Sequence, residues 1–287
     1  MSIYIHLIIA SLFWGLNVII MKLLLEHIPF LLLASLRVLL SFVCLFIYIR
    51  VKDISLERVP LKKVIVIALF GIYLNFLFTF YGMQNVKGVD NALINALSPM
   101  VTLLISFLFL HQKMHKKEMI GVIMSILAFL LSIRFQIFSL KLGFYFMLLG
   151  MLCYMVSHIV FQKWHIHNSI SYTYYQLMIG FIMLFIHTFI IGQLDTSSFD
   201  NISMFYWLLF IVISGIGFAY IQIIYMRATE EIGALKTSFF LSFNPIITYI
   251  ASIFVLDEEI DYIHIISFVF LIISIIIANK KKEVPED

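Results

Sequence analysis

The chemistry that this sequence can offer rests on a few polar side chains inside long apolar segments. Arg37 is the only basic residue well inside one of them. A guanidinium forms paired hydrogen bonds to carboxylate or phosphate groups, so Arg37 is a candidate anchor for an anionic solute. The alternative is structural: Arg37 lies only about eight residues into its segment, where a long side chain can extend its charge toward the surface or tie helix ends together.

A second set of polar and aromatic side chains falls at mid-membrane depth in several segments. Amides and hydroxyls are costly to expose to hydrocarbon, so they turn toward other helices or toward a wet cavity. We therefore predict one central cavity that binds a small solute. With Arg37, the candidate binding residues are Trp14, Asn17, Asn75, Tyr154, Ser157, His158, Tyr220 and Asn244. The alternative is that these groups only form hydrogen bonds between helices.

Two pairs of these residues share a spacing. Trp14 lies three residues before Asn17, and Tyr154 lies three before Ser157, so each aromatic ring shares a helix face with its polar neighbour. Such a wall has a flat apolar surface and a few orienting hydrogen bonds. It suits a small amphipathic or zwitterionic solute, whereas a highly charged nucleotide sugar would call for several basic residues.

Two prolines lie deep in apolar segments. Pro99 and Pro245 each remove a backbone hydrogen bond, which predicts either a hinge or a fixed bend.

No cofactor or metal is expected. Cys44 and Cys153 fall inside apolar segments, which predicts free thiols. His111 and His115 have the spacing of two metal ligands on one helix face, but they stand among lysines at a segment end. We interpret them as a solvated cluster.

The composition indicates an all-α integral membrane protein whose main surroundings are the lipid bilayer. Hydrophobic residues make up 63% of the chain and charged residues only 12%, and the mean hydropathy is +1.06. Soluble domains carry about 25% charged residues, so this chain could not cover its surface in water. Nothing in this composition points to nucleic acid as a partner.

Ten apolar runs are long enough to approach the roughly 20 residues that a helical span needs. The links between them are short and polar, which leaves no room for a soluble domain. The predicted spans are 3–24, 29–49, 62–82, 88–110, 118–135, 142–162, 170–191, 203–225, 234–256 and 262–278.

The distribution of basic residues predicts the orientation. With the N-terminus in the cytoplasm, 14 of the 19 Lys and Arg residues fall on the cytoplasmic side and 4 on the other. Because basic loops stay inside, we expect a multi-pass protein of the cell membrane with both termini cytoplasmic.

The chain also contains an internal repeat. Tyr81 precedes Pro99 by the same 18 residues that separate Arg227 from Pro245. Each half has five spans, and an odd number makes the second copy enter the membrane from the opposite side. This predicts two inverted repeats, 1–137 and 138–280, followed by a polar cytoplasmic tail at 281–287. Inverted repeats are typical of secondary transporters.

The order and spacing of several short motifs resemble the EamA group of the drug/metabolite transporter superfamily. The matching residues are Leu12-Phe13-Trp14-Gly15, Arg37, Tyr81-Gly82-Met83, Asn91-Ala92-Leu93-Ile94, Ser98-Pro99, Ile232-Gly233-Ala234, Asn244-Pro245 and Asp257-Glu258-Glu259. The resemblance implies a transporter, not an enzyme, that exports an amino acid, amine or similar small metabolite. Two features depart from the family: His111-Gln112 replaces its usual Gly-Glu, and Gln176 stands at the position matching Arg37.

Two other classes of function remain alternatives. An integral membrane enzyme would need a catalytic set at one membrane face, and the sequence shows neither paired carboxylates nor a Ser-His-Asp set there. A channel or scaffold would not require an inverted repeat. No Asp or Glu lies clearly within a span, so the coupling ion stays open, as does assembly into a homodimer.

Overall fold

The computed structural model describes residues 2–110, 116–132, 141–197, 199–241, 243–257 and 262–279. Over these ranges the chain forms helices and connecting segments, with no strand. Several sequence predictions lie outside the described residues: the histidine pair at 111 and 115, the end of the fifth predicted span at 133–135, the boundary between the two repeats at 137 and 138, residues 258 and 259 of the Asp257-Glu258-Glu259 motif, and the tail at 281–287.

In the first half, the described residues form seven α-helices. Their bounds are α1 Ile3–Leu24, α2 Phe30–Val51, α3 Leu61–Ala68, α4 Asn75–Met83, α5 Gly88–Ala96, α6 Ser98–Leu110 and α7 Lys116–Ser132. A π-helical segment, Leu69–Leu74, joins α3 to α4 without a break.

The described residues of the second half form a further seven. Their bounds are α8 Leu142–Lys163, α9 Ser169–Ile191, α10 Met204–Leu209, α11 Phe218–Ile232, α12 Ala234–Leu241, α13 Asn244–Val255 and α14 Tyr262–Asn279. A 3₁₀ turn, Phe199–Asn201, precedes α10, and a π-helical segment, Phe210–Gly217, joins α10 to α11.

By length and composition, seven helices of the described chain are able to cross a membrane. They are Ile3–Leu24, Phe30–Val51, Leu61–Met83, Asp90–Phe109, Leu142–Lys163, Ser169–Ile191 and Met204–Ile232. Three shorter apolar helices accompany them: Met119–Leu131, Asn244–Val255 and Tyr262–Ser274. The protein is thus an all-helical membrane protein, and the count of ten spans stays a prediction.

One helix continues well beyond its predicted end. The sequence predicts that the eighth span ends at 225, but α11 runs to Ile232. Arg227 donates to Glu231 across 2.6 Å at the i, i+4 spacing, and both side chains are largely exposed. The helix can therefore leave the hydrocarbon without unwinding. It ends at Gly233, whose φ of 86° favours glycine.

The two proline-containing segments are each divided into two helices. Pro99 and Pro245 are the second residues of α6 and α13, directly after the breaks. Proline has no N–H, so Pro99 leaves the Asn95 carbonyl without its helical partner. The Ser98 hydroxyl donates to that carbonyl instead. The fourth predicted span, although it is still long and apolar enough to cross a membrane, is therefore interrupted shortly before Pro99, and the ninth is interrupted shortly before Pro245.

Helices from the two halves pack closely at several places. α4 lies directly against α8 because glycines face each other: a Cβ at Gly82 would lie 2.5 Å from the Gly143 carbonyl oxygen, and one at Gly143 would lie 2.6 Å from that of Gly82. α1 packs against α11 and α13, and α2 packs against α9. These contacts surround a small space in the interior.

Candidate functional site

A cavity of about 50 Å³ lies at the centre of the helices. Its walls come from both halves of the sequence, through α1, α2, α4, α5, α6, α8, α12 and α13. Among its lining side chains are Trp14, Asn17, Arg37, Asn75, Thr79, Asn91, Asn95, Ser98, Tyr154 and Asn244. A single water needs at least about 10–15 Å³, so the space is a small one.

Trp14 joins the two halves through ring contacts. Its centroid lies 5.2 Å from that of Tyr154 and 5.7 Å from that of Tyr225, both in edge-on arrangements. A third edge-on contact, at 6.4 Å, is made with Phe218. Tyr154 and Tyr225 are buried, while Trp14 keeps a partly exposed edge. The tryptophan therefore forms a rigid apolar wall at the point where α1, α8 and α11 meet.

Within the described chain, the nitrogen of the Asn17 amide is hydrogen-bonded and its oxygen is not. Its Nδ2 donates to the carbonyl of Ile213 and to Ser214 Oγ, both at 3.1 Å, within the π-helical segment Phe210–Gly217. In a π-helical segment each N–H bonds to the carbonyl five residues earlier and not four, which disturbs the regular pairing of the carbonyls. Among the described residues, Asn17 Oδ1 has no partner, although Asn17 is buried.

Arg37 is enclosed by aromatic rings. Its Cζ lies 4.1 Å from the ring centroid of Phe218, 4.7 Å from that of Phe76 and 5.7 Å from that of Phe80. The residue is only 6% exposed, and no described carboxylate pairs with it. Its Nε has no hydrogen-bond partner within the described chain.

These ring contacts do not fully replace the water that Arg37 has lost. Desolvated cation–π contacts contribute about 2 kcal/mol each, so the three rings offset much of the several kcal/mol that burial of an ion costs, but they give the N–H groups no hydrogen-bond acceptor. The guanidinium is consequently a charged group that still lacks an anionic partner, and it lines the cavity. This burial does not match a side chain that extends to the surface, whereas the alternative that Arg37 ties helices together stands beside the binding role.

Asparagines of α4, α5 and α13 also line the cavity. Asn75 Nδ2 donates to the Gly150 carbonyl at 2.8 Å. Asn95 Nδ2 donates to Asn91 Oδ1 at 2.6 Å. Within the described residues, Asn91 Nδ2 and Asn244 Oδ1 have no partner, and both side chains are buried. The cavity thus presents unused donors and acceptors to whatever enters it.

Three of the predicted binding residues lie outside this cavity. Ser157 donates to the Ile67 carbonyl at 3.2 Å and is buried between helices. The His158 ring packs on Tyr154 with centroids 4.6 Å apart, and its Nδ1 is hydrogen-bonded to Thr229 Oγ1 at 2.8 Å. These contacts turn both side chains toward neighbouring helices.

Tyr220, the third, lies at a different cavity. Its hydroxyl is hydrogen-bonded to His6 Nδ1 at 2.6 Å. Both side chains line a space of about 640 Å³ between α1, α2, α9 and α11, whose walls also include Arg227 and Glu231. The position of Tyr220 along its predicted span indicates its depth in the membrane. It does not indicate which side of α11 the ring occupies, so depth alone assigns Tyr220 to the wrong cavity.

The sequence prediction also misses several residues of the central site. Asn91 precedes Asn95 by one helical turn, and this spacing could have placed it beside the cavity. Phe76 and Phe218 could not have been selected, because the chain has 29 phenylalanines and none is marked by its spacing. The substrate-binding roles of all these residues remain predictions.

The sequence pattern of the EamA-like transporter family matches residues 1–134 and 141–280. The chain belongs to this family. Two relatives come from Bacillus subtilis (strain 168). The uncharacterized transporter YoaV is 25% identical, with 95% of this chain and 94% of its own covered. The uncharacterized transporter YyaM is 27% identical, with 77% and 74% covered.

A solved crystal structure shares the fold of this EamA-like chain. It superposes with a TM-score of 0.71 over 97% of this chain and 96% of its own, at 13% identity. Family membership and the transporter relatives, together with the apolar helices, identify the protein as a membrane transporter.

Proposed function

We propose that this EamA-like protein is a secondary transporter that exports a small amphipathic solute from the cell by alternating access. The solute class is that of an amino acid, an amine or a similar metabolite. The protein acts without catalysis or a cofactor, and its site is the central cavity.

The observation that carries this proposal is the position of the cavity relative to the helix breaks. Asn95 and Ser98 line it on either side of the break between α5 and α6. Leu241 and Asn244 do the same at the break between α12 and α13. Interrupted helices beside a central site are a recurring construction in secondary transporters. Movement at either break would change the shape of the site.

A second observation supports the inverted repeat. Asn17 of α1 donates to the Ile213 carbonyl, and its repeat counterpart Ser157 of α8 donates to the Ile67 carbonyl. Ile67 and Ile213 are separated by the same number of residues as Tyr81 and Arg227, the pair that marks the repeat. The same contact is therefore made twice between the halves, once from each half to the other.

The proposal includes ten spans in two units, 1–137 and 138–280, in the cell membrane with both termini cytoplasmic. Its support is the 14-to-4 distribution of basic residues. The proposed partners are a small-molecule substrate and the lipid bilayer, and nucleic acid is not among them. Whether the protein assembles into a homodimer stays open.

Solute counterflow in proteoliposomes tests the function. Comparison of metabolites released by cells with and without the protein supplies the solute. We expect unlabelled internal solute to drive transient accumulation of labelled external solute, because an alternating-access carrier exchanges one for the other. Simple equilibration would indicate a channel. A chemically altered solute would indicate an enzyme, and either result would overturn the proposal.

A further inference from the structure

Arg37 is the only charged side chain among the described residues that line the central cavity. We propose that the transported solute carries a single carboxylate and that this carboxylate pairs with Arg37. This inference rests on the proposed transport function and narrows it to one class of substrate.

The first step is the charge of Arg37. A guanidinium stays protonated in proteins, so the cavity holds a full positive charge. Its neighbours Phe76, Phe80 and Phe218 offer ring faces and no hydrogen-bond acceptor. Its Nε is buried and unpartnered within the described chain. An anion in the cavity would supply both the missing charge and the missing acceptor.

The second step is the presence of another unused donor. Asn91 Nδ2 is unpartnered among described residues, while Asn91 Oδ1 accepts from Asn95 Nδ2. That hydrogen bond orients the Asn91 amide and leaves its NH₂ group available. A carboxylate has two oxygens with about four lone-pair sites and can accept from several donors at once. Arg37 and Asn91 line the same cavity, from α2 and α5.

The third step separates a carboxylate from a phosphate ester. A phosphate monoester carries a charge of about −1.5 to −2 at neutral pH. Only one cation among the described lining residues faces it, so part of that charge would remain uncompensated in a buried site. A single carboxylate balances Arg37 one to one.

The remainder of the solute would contact adaptable apolar surface. Five methionines line the cavity: Met21, Met83, Met147, Met151 and Met155. Methionine side chains are flexible and accommodate irregular apolar shapes. The present volume of about 50 Å³ is sufficient for only a small group, so binding of a whole solute requires these side chains and the adjoining helix breaks to move.

Efflux of a defined set of compounds from proteoliposomes tests the inference while the natural solute is still unidentified. Full-length protein is reconstituted with a mixture of membrane-impermeant monocarboxylates, zwitterions, amines, amides and phosphate esters inside. Mass spectrometry then follows the loss of each compound relative to protein-free liposomes. We expect the compounds that leave to carry one carboxylate, with or without an amine. In Arg37→Gln their efflux should fall at least tenfold.

Three further variants separate charge recognition from folding. Arg37→Lys keeps the charge but loses the paired donors, and it should retain intermediate efflux. Asn91→Asp has nearly the shape of asparagine but repels an anion, and it should lower carboxylate efflux even if Arg37→Gln fails to fold. Arg50→Gln is the matched control, because Arg50 lies in the same helix but is exposed beside Phe46. Its efflux should equal that of the wild type.

The outcomes are distinguishable. Selective efflux of amines, amides or phosphate esters would overturn the carboxylate inference and leave transport intact. Carboxylate efflux that is unchanged in Arg37→Gln and Asn91→Asp would overturn it as well. Failure of every compound to leave through the wild-type protein would contradict the proposed transport function itself.

Discussion

Arg37 and Gln176 occupy matching positions in the two halves of the chain, yet their side chains make different contacts. Gln176 Nε2 donates to the Ile67 carbonyl at 3.3 Å, the same carbonyl that accepts from Ser157. Arg37 makes no such backbone contact within the described chain and lines the cavity among aromatic rings. One position thus stabilises the helix packing, while its counterpart supplies charge to the candidate site.

Other matched residues behave alike. Asn17 and Ser157 each reach a backbone carbonyl in a neighbouring helix, and Trp14 and Tyr154 contact each other. This comparison shows that helix packing and contacts to the backbone give the two halves their common arrangement of helices. The chemical difference between them is concentrated in a few side chains, of which Arg37 is the foremost.

The largest expected effect comes from adding a charge to the second half. Gln176 is 2% exposed, and its Nε2 would lie 2.5 Å from a Cβ at Gly71, so its surroundings are tight. Gln176→Arg should destabilise the protein by more than about 3 kcal/mol, because it buries an unpaired ion. Thermal unfolding in detergent measures this. If Gln176→Arg were as stable as the wild type, position 176 would tolerate a buried charge as position 37 does, and the difference described between the two positions would be wrong.

A smaller effect is expected at the helix breaks. Pro99→Ala and Pro245→Ala each restore an N–H that can complete a helical hydrogen bond. Both variants should fold and slow transport several-fold, because the breaks become stiffer. Initial rates in proteoliposomes, normalised to protein content, measure this. Normal rates in both variants would favour the alternative of fixed bends.

Asn17 and Ser157 should respond differently to alanine. Asn17→Ala leaves the Ile213 carbonyl without its side-chain donor and should cost about 1–3 kcal/mol, together with impaired transport. Ser157→Ala should cost about 1 kcal/mol and leave transport unchanged, because Gln176 still donates to the Ile67 carbonyl. Thermal unfolding and transport assays of the two variants make the comparison. Equal transport by both would argue against a solute contact at Asn17.

The smallest effect is expected at the hydroxyl of Tyr154. It donates to Gln222 Oε1 at 3.4 Å, which is long for a strong hydrogen bond. Tyr154→Phe keeps the ring against Trp14 and should change stability by less than about 1 kcal/mol, with transport retained. Tyr154→Ala removes the ring and should impair transport without lowering membrane abundance. Equal impairment by the two changes would mean that the hydroxyl is required, and normal transport by both would mean that neither the ring nor the hydroxyl is.

Helix positions are largely predictable from the sequence, because long apolar runs have few alternatives in a bilayer. The first predicted span is 3–24, and α1 spans Ile3–Leu24. The matched prolines are visible in the sequence. The sequence does not show that the helix is interrupted there, between α5 and α6 and between α12 and α13. Proline permits a kink or a complete break, and the surrounding packing decides between them.

The site is predictable only in part, because residue type and depth do not specify which side of a helix faces the cavity. Trp14, Asn17, Asn75 and Asn244 lie around it, whereas Ser157 and Tyr220 have similar character and face elsewhere. The π-helical segments add to the difficulty, since they change the register of the residues that follow.

Accessibility of a cysteine in the cavity most directly tests whether a central site is exposed to each side of the membrane in turn. Thr79 lines the cavity and is close to cysteine in size. Thr79→Cys is made in a background where Cys44 and Cys153, both free thiols, are replaced. A membrane-impermeant maleimide is then applied to vesicles of either orientation. We predict labelling from both sides, slowed by the transported solute. Labelling from neither side, or from one side regardless of solute, would contradict alternating access at this cavity.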